Sequence, residues 1–301
     1  MTTVLPNCDV RNPGRITAKK IVDQIQAEGV NRLLASPAFC KSLSDFLETK
    51  RQSLSSIQSI YTGGGPVFPN LFQQLSASFP NANITAVFGS TEAEPIAHIS
   101  LLEISDAELL GMQSGKGLLA GLPISEIKLA IIPDRDGFPI GPFSDRDFHD
   151  LVLPPHLHGE IVVAGDHVQK SYLSGDSTLT KFRVQNEIWH RTGDAGYLDS
   201  HGKLWLLGRC SAKISKSGTI VYPFGIEAAA MSLGPVKKAA LIDQDGLVTL
   251  VVETQVDDQT ALIEHLKKNL KQIDRVVLLK QIPVDARHNS KVLYRELKKL
   301  L

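Results

Sequence analysis

Cysteine is scarce in this sequence: Cys8, Cys40 and Cys210 are the only three among 301 residues. An odd count, wide spacing and no Cys-x-x-Cys exclude a disulfide framework and a zinc ribbon, and predict free thiols in a reducing compartment. The histidines supply no substitute. His98, His149, His156, His158 and His167 include no i, i+4 pair of the kind a helical metal site needs. An excess of either charge is also missing, since Lys+Arg and Asp+Glu stand at 32 each. That balance argues against a nucleic-acid partner and against an acidic tail. No apolar run is long enough to span a bilayer. The start, Met1-Thr2-Thr3-Val4-Leu5-Pro6, lacks the basic flank and apolar core of a secretory leader. The expectation is a cytoplasmic protein without a membrane span. Its hydrophobic content of 43% suffices for one large domain or two smaller ones.

What is present begins with alternation. An amphipathic segment, 16–29, precedes a short strand at 32–35. A helix over 37–49, a strand over 57–61, a helix over 69–79 and a strand over 84–87 follow. Alternating strand and helix predicts α/β architecture with a parallel sheet. After Pro95, β-rich runs at 128–133, 159–164 and 187–190 are separated by Pro, Gly and Asp turns, which predicts a barrel-like, antiparallel subdomain. Beyond the strand at 204–208 the pattern changes again. Strands at 219–221, 238–243, 248–254 and 275–279 and helices at 223–232, 259–269 and 292–301 form a compact α+β unit of small-domain size. The expected division is 1–208 and 209–301.

The chain is organised around Ala86-Val87-Phe88-Gly89-Ser90-Thr91-Glu92. The β-branched run before it reads as a buried strand, which Gly89 is expected to end. Phe88 offers a flat ring, Thr91 a hydroxyl for an anionic oxygen, and Glu92 a carboxylate suited to Mg²⁺. Alone, the heptad reads equally as a strand-to-loop turn. Thr62-Gly63-Gly64-Gly65-Pro66 ends the preceding strand, so two neighbouring strand ends are expected to face one cleft. Thr192-Gly193-Asp194 reads as a Gly-Asp turn between two strands, either a capped tight turn or a carboxylate matched to the two hydroxyls of a ribose. Gly111-Met112-Gln113-Ser114-Gly115-Lys116-Gly117 has the wrong spacing for a phosphate loop and reads as an ordinary loop. Lys291 opens the last helix against the dipole, pointing into solvent or reaching for an anion.

Taken in order, Tyr61-Thr62-Gly63-Gly64-Gly65-Pro66, Val87-Phe88-Gly89-Ser90-Thr91-Glu92, Thr192-Gly193-Asp194, Gly208-Arg209 and Lys291 resemble the adenylate-forming (acyl-AMP ligase) superfamily. Gly121-Leu122-Pro123 and Gly159 to Gly165 fit its middle region. The stretches Ser90–Ala97 and Pro283–Lys291 look most like its fatty-acyl branch, which includes olefin β-lactone synthetases. The resemblance implies ATP/AMP and Mg²⁺ as cofactors and a fatty, or 3-hydroxy fatty, acid as substrate. By that resemblance Gly63, Gly64 and Gly65 line the adenine, Phe88 packs on it, and Gly89 and Ser90 belong to the same nucleotide motif. Thr91 contacts phosphate, Glu92 holds Mg²⁺, and Asp194 and Arg209 bind the ribose. Lys291, on a mobile small domain, bridges carboxylate and α-phosphate, as electrostatic catalysis requires. Rotation about Gly208–Ser211 gates the cycle.

The phosphate loop that the superfamily carries upstream of Gly-Gly-Gly-Pro has no counterpart here, so the large domain is expected to be incomplete. Ser211 replaces the usual Asp or Lys at the hinge, and Ser217-Gly218-Thr219-Ile220 departs from the pattern linked to thioester formation. The expectation is one half of a split acid-activating enzyme, needing an N-terminal ligase chain that supplies the phosphate loop, with CoA, an acyl carrier protein or ring closure as the fate of the acyl group. Two alternatives stand beside it. One is a non-catalytic nucleotide- or acyl-binding protein derived from a ligase. The other is a truncated product whose open strand edge is covered in a homo-oligomer.

Overall fold

The computed structural model describes residues 2–9, 11–12, 16–174, 177–216, 218–285 and 291–301. It divides into two compact units, one of Met1–Val87, Ile99–Leu109 and Gln281–Leu301, the other of Phe88–His98 and Leu110–Lys280.

In the first unit α1 (Ala18–Ala27), β1 (Arg32–Ala35), α2 (Pro37–Thr49), β2 (Ser59–Gly63) and α3 (Pro69–Ser78) lead to β3 (Asn83–Ser90), in the alternation the sequence predicts. β1, β2 and β3 pair in parallel, with Leu33 opposite Ile60 and Ile60 opposite Ile84, all three buried. Crossover helices follow from that geometry, because parallel neighbours need a long connection. α2 starts where it does because Ser36 accepts a hydrogen bond from the Phe39 N–H at 3.3 Å while Pro37 fills the first turn. Its Phe39, Cys40, Leu43 and Leu47 are buried at helical spacing. α8 (Tyr294–Leu300) also belongs to this unit.

Two readings are corrected here. Gly89 does not end β3, which runs on to Ser90. The chain then turns over Thr91 and Glu92 into a further strand, β4 (Ala93–Ser100), beside β3. A two-residue connection is short enough only for a hairpin. Gly89 is needed because any Cβ there would meet the Ala93 carbonyl oxygen at 2.9 Å. Second, β2 lies two residues later than the apolar run implied, and ends in Gly63 opposite Val87.

The second unit is built on antiparallel pairing. After α4 (Asp106–Gln113) come β5 (Leu118–Gly121), β6 (Lys128–Ile132), α5 (Asp145–Leu151), β7 (Gly159–Ala164), β8 (Lys181–Val184), β9 (Glu187–Leu198) and β10 (Leu204–Arg209). Their order is β5-β10-β9-β7-β6, with β8 also on β9. β7 is buried along its whole length. Its alternate residues feed two cores: Ile161 and Val163 join Ile96, Ile131 and Leu204, while Val162 and Ala164 join Ile132, Phe148, Phe182 and Trp189. Phe148 and Trp189 pack with ring centres 4.7 Å apart and planes tilted by 53°.

β9 also corrects the sequence reading. Arg191 to Tyr197 is no turn between two strands, but the middle of one twelve-residue strand. Between the pairs Glu160–Ala195 and Val162–Arg191, β9 takes four steps where β7 takes two, so β9 bulges at 192–194. Gly193 makes the bulge affordable with φ +68°, and Thr192 Oγ1 accepts from the Asp194 N–H at 3.0 Å.

β11 (Ile214–Lys216) and β12 (Thr219–Val221) form a small hairpin ahead of α6 (Pro223–Ser232), β13 (Lys238–Gln244), β14 (Leu247–Glu253), α7 (Gln259–Asn269) and β15 (Arg275–Leu279). β13 and β14 are antiparallel; β14 and β15 are parallel across the α7 crossover. No helix among the described residues is long and apolar enough to cross a membrane.

Candidate nucleotide site

The β3–β4 turn puts Glu92 on rigid structure. Its backbone carbonyl accepts from the Gln169 N–H at 2.8 Å, and its Oε1 accepts from the Tyr172 hydroxyl at 3.1 Å. Partial burial opposes ionisation, but its own backbone N–H and the Tyr172 phenol outweigh it and hold the carboxyl below its ordinary range. Glu92 is therefore an ionised, half-buried oxygen donor. Thr91 beside it is exposed, Ser90 closes β3, and the Phe88 ring packs against the apolar cluster around Ile96 and Ile161.

On the same unit, the bulge in β9 aims Asp194 at the end of β10. Arg209 pairs with Asp194 across the two strands, its Nη1 3.0 Å from Oδ1 and 3.0 Å from the Thr192 carbonyl oxygen. The Asp194 side chain is 19% exposed and that of Arg209 56%, so a hydroxyl-bearing ligand can reach both. Just upstream, Arg191 donates to Glu160 from Nε (3.1 and 3.0 Å) and from Nη2 (2.6 Å), and both side chains are nearly sealed from solvent. Its remaining donors reach the carbonyl oxygens of Phe138 (2.6 Å) and Arg135 (3.0 Å). Asp134, at the head of that loop, receives Lys213 Nζ and the Tyr222 hydroxyl, each at 2.8 Å. Lys213 follows Arg209 by four residues, so the segment entering the C-terminal α+β elements is tied to the loop after β6 of the antiparallel sheet.

Four groups around Glu92 escape the sequence reading. Tyr172 and Gln169 hold it, Lys181 lies with Nζ 5.4 Å from the Tyr172 ring centre, and His190 pairs with Lys181 across β8 and β9. Burial first, then the Lys181 charge, pushes the His190 imidazole down to about 4, which keeps it neutral. Nothing local in the sequence signals these contacts, because Glu92 and Tyr172 are 80 positions apart.

Gly63 to Gly65 and Lys291 fall in the first unit. Gly63 lies opposite Val87, and a Cβ there would collide with the Val87 carbonyl oxygen; Gly64 has φ +76°. Lys291 is exposed. Its N–H donates to Asp285 Oδ1 at 2.9 Å, and the Asp285 N–H to its carbonyl oxygen at 2.9 Å. Residues 286–290 of the Pro283–Lys291 motif lie outside the described residues.

A half-buried carboxylate on a hairpin turn and a carboxylate–guanidinium pair on adjacent strands stand out on the second unit of this α/β protein. The family model for AMP-binding enzymes matches residues 1–173, more than half the chain, and the chain belongs to that family. It is 26% identical over 317 residues to the olefin beta-lactone synthetase of Xanthomonas campestris, covering 97% of this chain and 55% of that one. To 4-coumarate–CoA ligase 1 of Glycine max it is 27% identical over 274 residues, 87% of this chain and 86% of the relative. The o-succinylbenzoate CoA synthetase of Bacillus subtilis, solved with its acyl-adenylate intermediate, superimposes with a TM-score of 0.69 at 26% identity, over 94% of this chain and 54% of that one. The chain thus spans about half the length of the first curated relatives it matches.

Proposed function

We propose that this chain is the nucleotide-holding part of an enzyme that activates a carboxylic acid as its acyl-adenylate. In that reaction a carboxylate oxygen attacks the α-phosphorus of ATP, the bond to pyrophosphate breaks, and the acyl–AMP anhydride remains. The observation that carries the reading is the Arg209–Asp194 pair, presented by a bulge that has no use in a plain sheet. Asp194 accepts the ribose hydroxyls, with Arg209 beside it. Phe88 packs on the adenine, Gly89, Ser90 and Thr91 face the phosphates, and Gly63 to Gly65 are nucleotide-binding residues of the first unit.

Glu92 is the residue that holds Mg²⁺. A single ionised carboxylate completed by substrate phosphates and water is the usual protein share of a Mg²⁺ shell, and Glu92 meets it. Bound there, the ion supplies charge neutralisation at the phosphates. Lys291 brings a cation to the developing charge between carboxylate and α-phosphate. In the proposed division at 1–208 and 209–301, Glu92 and Asp194 lie on the first part and Arg209 and Lys291 on the second.

The acid is a fatty or 3-hydroxy fatty acid, in line with the likeness to olefin beta-lactone synthetases, and the phosphate loop is supplied from outside these 301 residues. ATP–pyrophosphate exchange with a panel of such acids, on this chain alone and with candidate partner chains, tests both points. Exchange only with a partner supports the split enzyme. Exchange by the chain alone removes the partner requirement. No exchange in either case, with AMP still binding by calorimetry, replaces the enzyme with a nucleotide-binding module.

A further inference from the structure

Lys181 is a buried lysine for which the adenylation chemistry above has no direct use. β8 alternates, so Phe182 points into the aromatic core while its neighbour Lys181 points to the other face, 8% exposed. Burying an ammonium is costly unless it is paired, and Lys181 has two partners there. Its Nζ donates to the Gln169 carbonyl oxygen at 2.5 Å and lies 5.4 Å from the centre of the Tyr172 ring, within cation–π range. These two residues are the ones that hold Glu92. Gln169 grips its main chain, Tyr172 its carboxylate.

We propose that Lys181 is a positioning residue for Glu92, a single buried cation that clamps both arms of the strap around the hairpin turn. The inference rests on Glu92 being the Mg²⁺·ATP carboxylate, and it adds the residue that sets where that carboxylate stands. A strap of residues 169–172 held only by Glu92 would have to order two segments 80 positions apart with two hydrogen bonds. Lys181 adds an electrostatic tie from a third element, β8, which is itself fixed to β9. Because the Gln169 N–H is donated to Glu92, the state of the strap is readable at one amide.

The test uses the full chain carrying Lys181→Met, Lys181→Arg or, as control, Lys170→Met, whose exposed Nζ donates instead to the Gly165 carbonyl oxygen at 2.6 Å. Hydrogen exchange without ligand is read at Gln169, and calorimetry gives the affinities for Mg²⁺·ATP and for metal-free AMP. Lys181→Met is expected to speed exchange at Gln169 at least ten-fold. It should weaken Mg²⁺·ATP about ten-fold and leave AMP within two-fold, since metal-free AMP makes no use of the Glu92 carboxylate. Lys181→Arg should recover much of both effects, and Lys170→Met should change neither. Gln169 exchange that is unchanged in Lys181→Met overturns the proposal whatever the nucleotides do. Faster exchange spread evenly over β8 and β9, with ATP and AMP weakened alike, marks a plain folding defect and also overturns it. If the wild type binds no Mg²⁺·ATP while Lys181→Met still loosens Gln169 selectively, the positioning role stands and the nucleotide reading of Glu92 falls.

Discussion

Arg191 and Glu160 meet on adjacent strands with Nη2 2.6 Å from Oε2, and both side chains are 3% exposed or less. Burial pushes the Glu160 carboxyl up against the pull of the guanidinium, while Arg191 satisfies its other donors on the Phe138 and Arg135 carbonyls. Removing one partner strands the other charge in the core. Arg191→Met is expected to cost about 3–5 kcal/mol in urea denaturation. The double variant Arg191→Met with Glu160→Leu should recover part of that loss, which a double-mutant cycle measures.

The second ion pair behaves differently. Arg209 is more than half exposed, so its bond to Asp194 is expected to contribute only about 0–1 kcal/mol to stability. Asp194→Asn and Arg209→Ala should therefore melt near the wild-type temperature. Binding is another matter, because a hydrogen bond to a charged group contributes about 1.5–3 kcal/mol. Calorimetry with AMP is expected to show a loss of roughly ten- to a hundred-fold for Asp194→Asn. A large drop in melting temperature with unchanged AMP affinity would reverse the assignment.

His190 predicts an acid limb of stability. Its imidazole titrates near 4 in the folded chain because it is buried, with the Lys181 charge adding to the effect, against an ordinary value of 6.5. Between those values the unfolded chain binds the extra proton, so stability is present in full above pH 6.5 and falls as pH drops toward 4. The slope for one proton is about 1.4 kcal/mol per pH unit. His190→Gln should flatten the urea-midpoint profile over that window, leaving the contribution of other groups.

Thiol chemistry checks the packing. Cys40 and Cys210 are buried, and burial pushes both thiols up, Cys40 to about 12. Cys8 is only partly covered. Ellman's reagent at pH 8 is expected to find one reactive thiol in the native protein and three in denaturant. A rapid second equivalent under native conditions would mean that α2 or the β10 end opens readily.

Much of the architecture is legible in the sequence where local signals agree. Ser36-Pro37 followed by apolar residues at helical spacing places α2 at Pro37–Thr49, as observed, and the Gly159–Ala164 run gives β7 with its bounds. β4 is hidden because Pro95 and the polar residues before it read as a break, although a strand can carry proline where no ladder donor is needed. β9 is hidden because Gly193 reads as a turn, while in the sheet it makes a bulge that its neighbours absorb. The Asp194–Arg209 and Glu92 motifs are visible as sequence. Tyr172, Lys181 and His190 are not, since their role depends on strand pairing that joins distant segments.

The bulged strand has a consequence for how the protein can change over time. β9 hydrogen-bonds to β7, β8 and β10, and the one strand carries Arg191 for the core and Asp194, the proposed nucleotide contact. A ligand gripped at Asp194 therefore holds the backbone of the whole sheet, and its binding energy reports as sheet stability by mass action. Selection for affinity and selection for folding then act on the same dozen residues. Drift in this segment is doubly penalised, whereas strands that meet only one of the two demands are freer to vary.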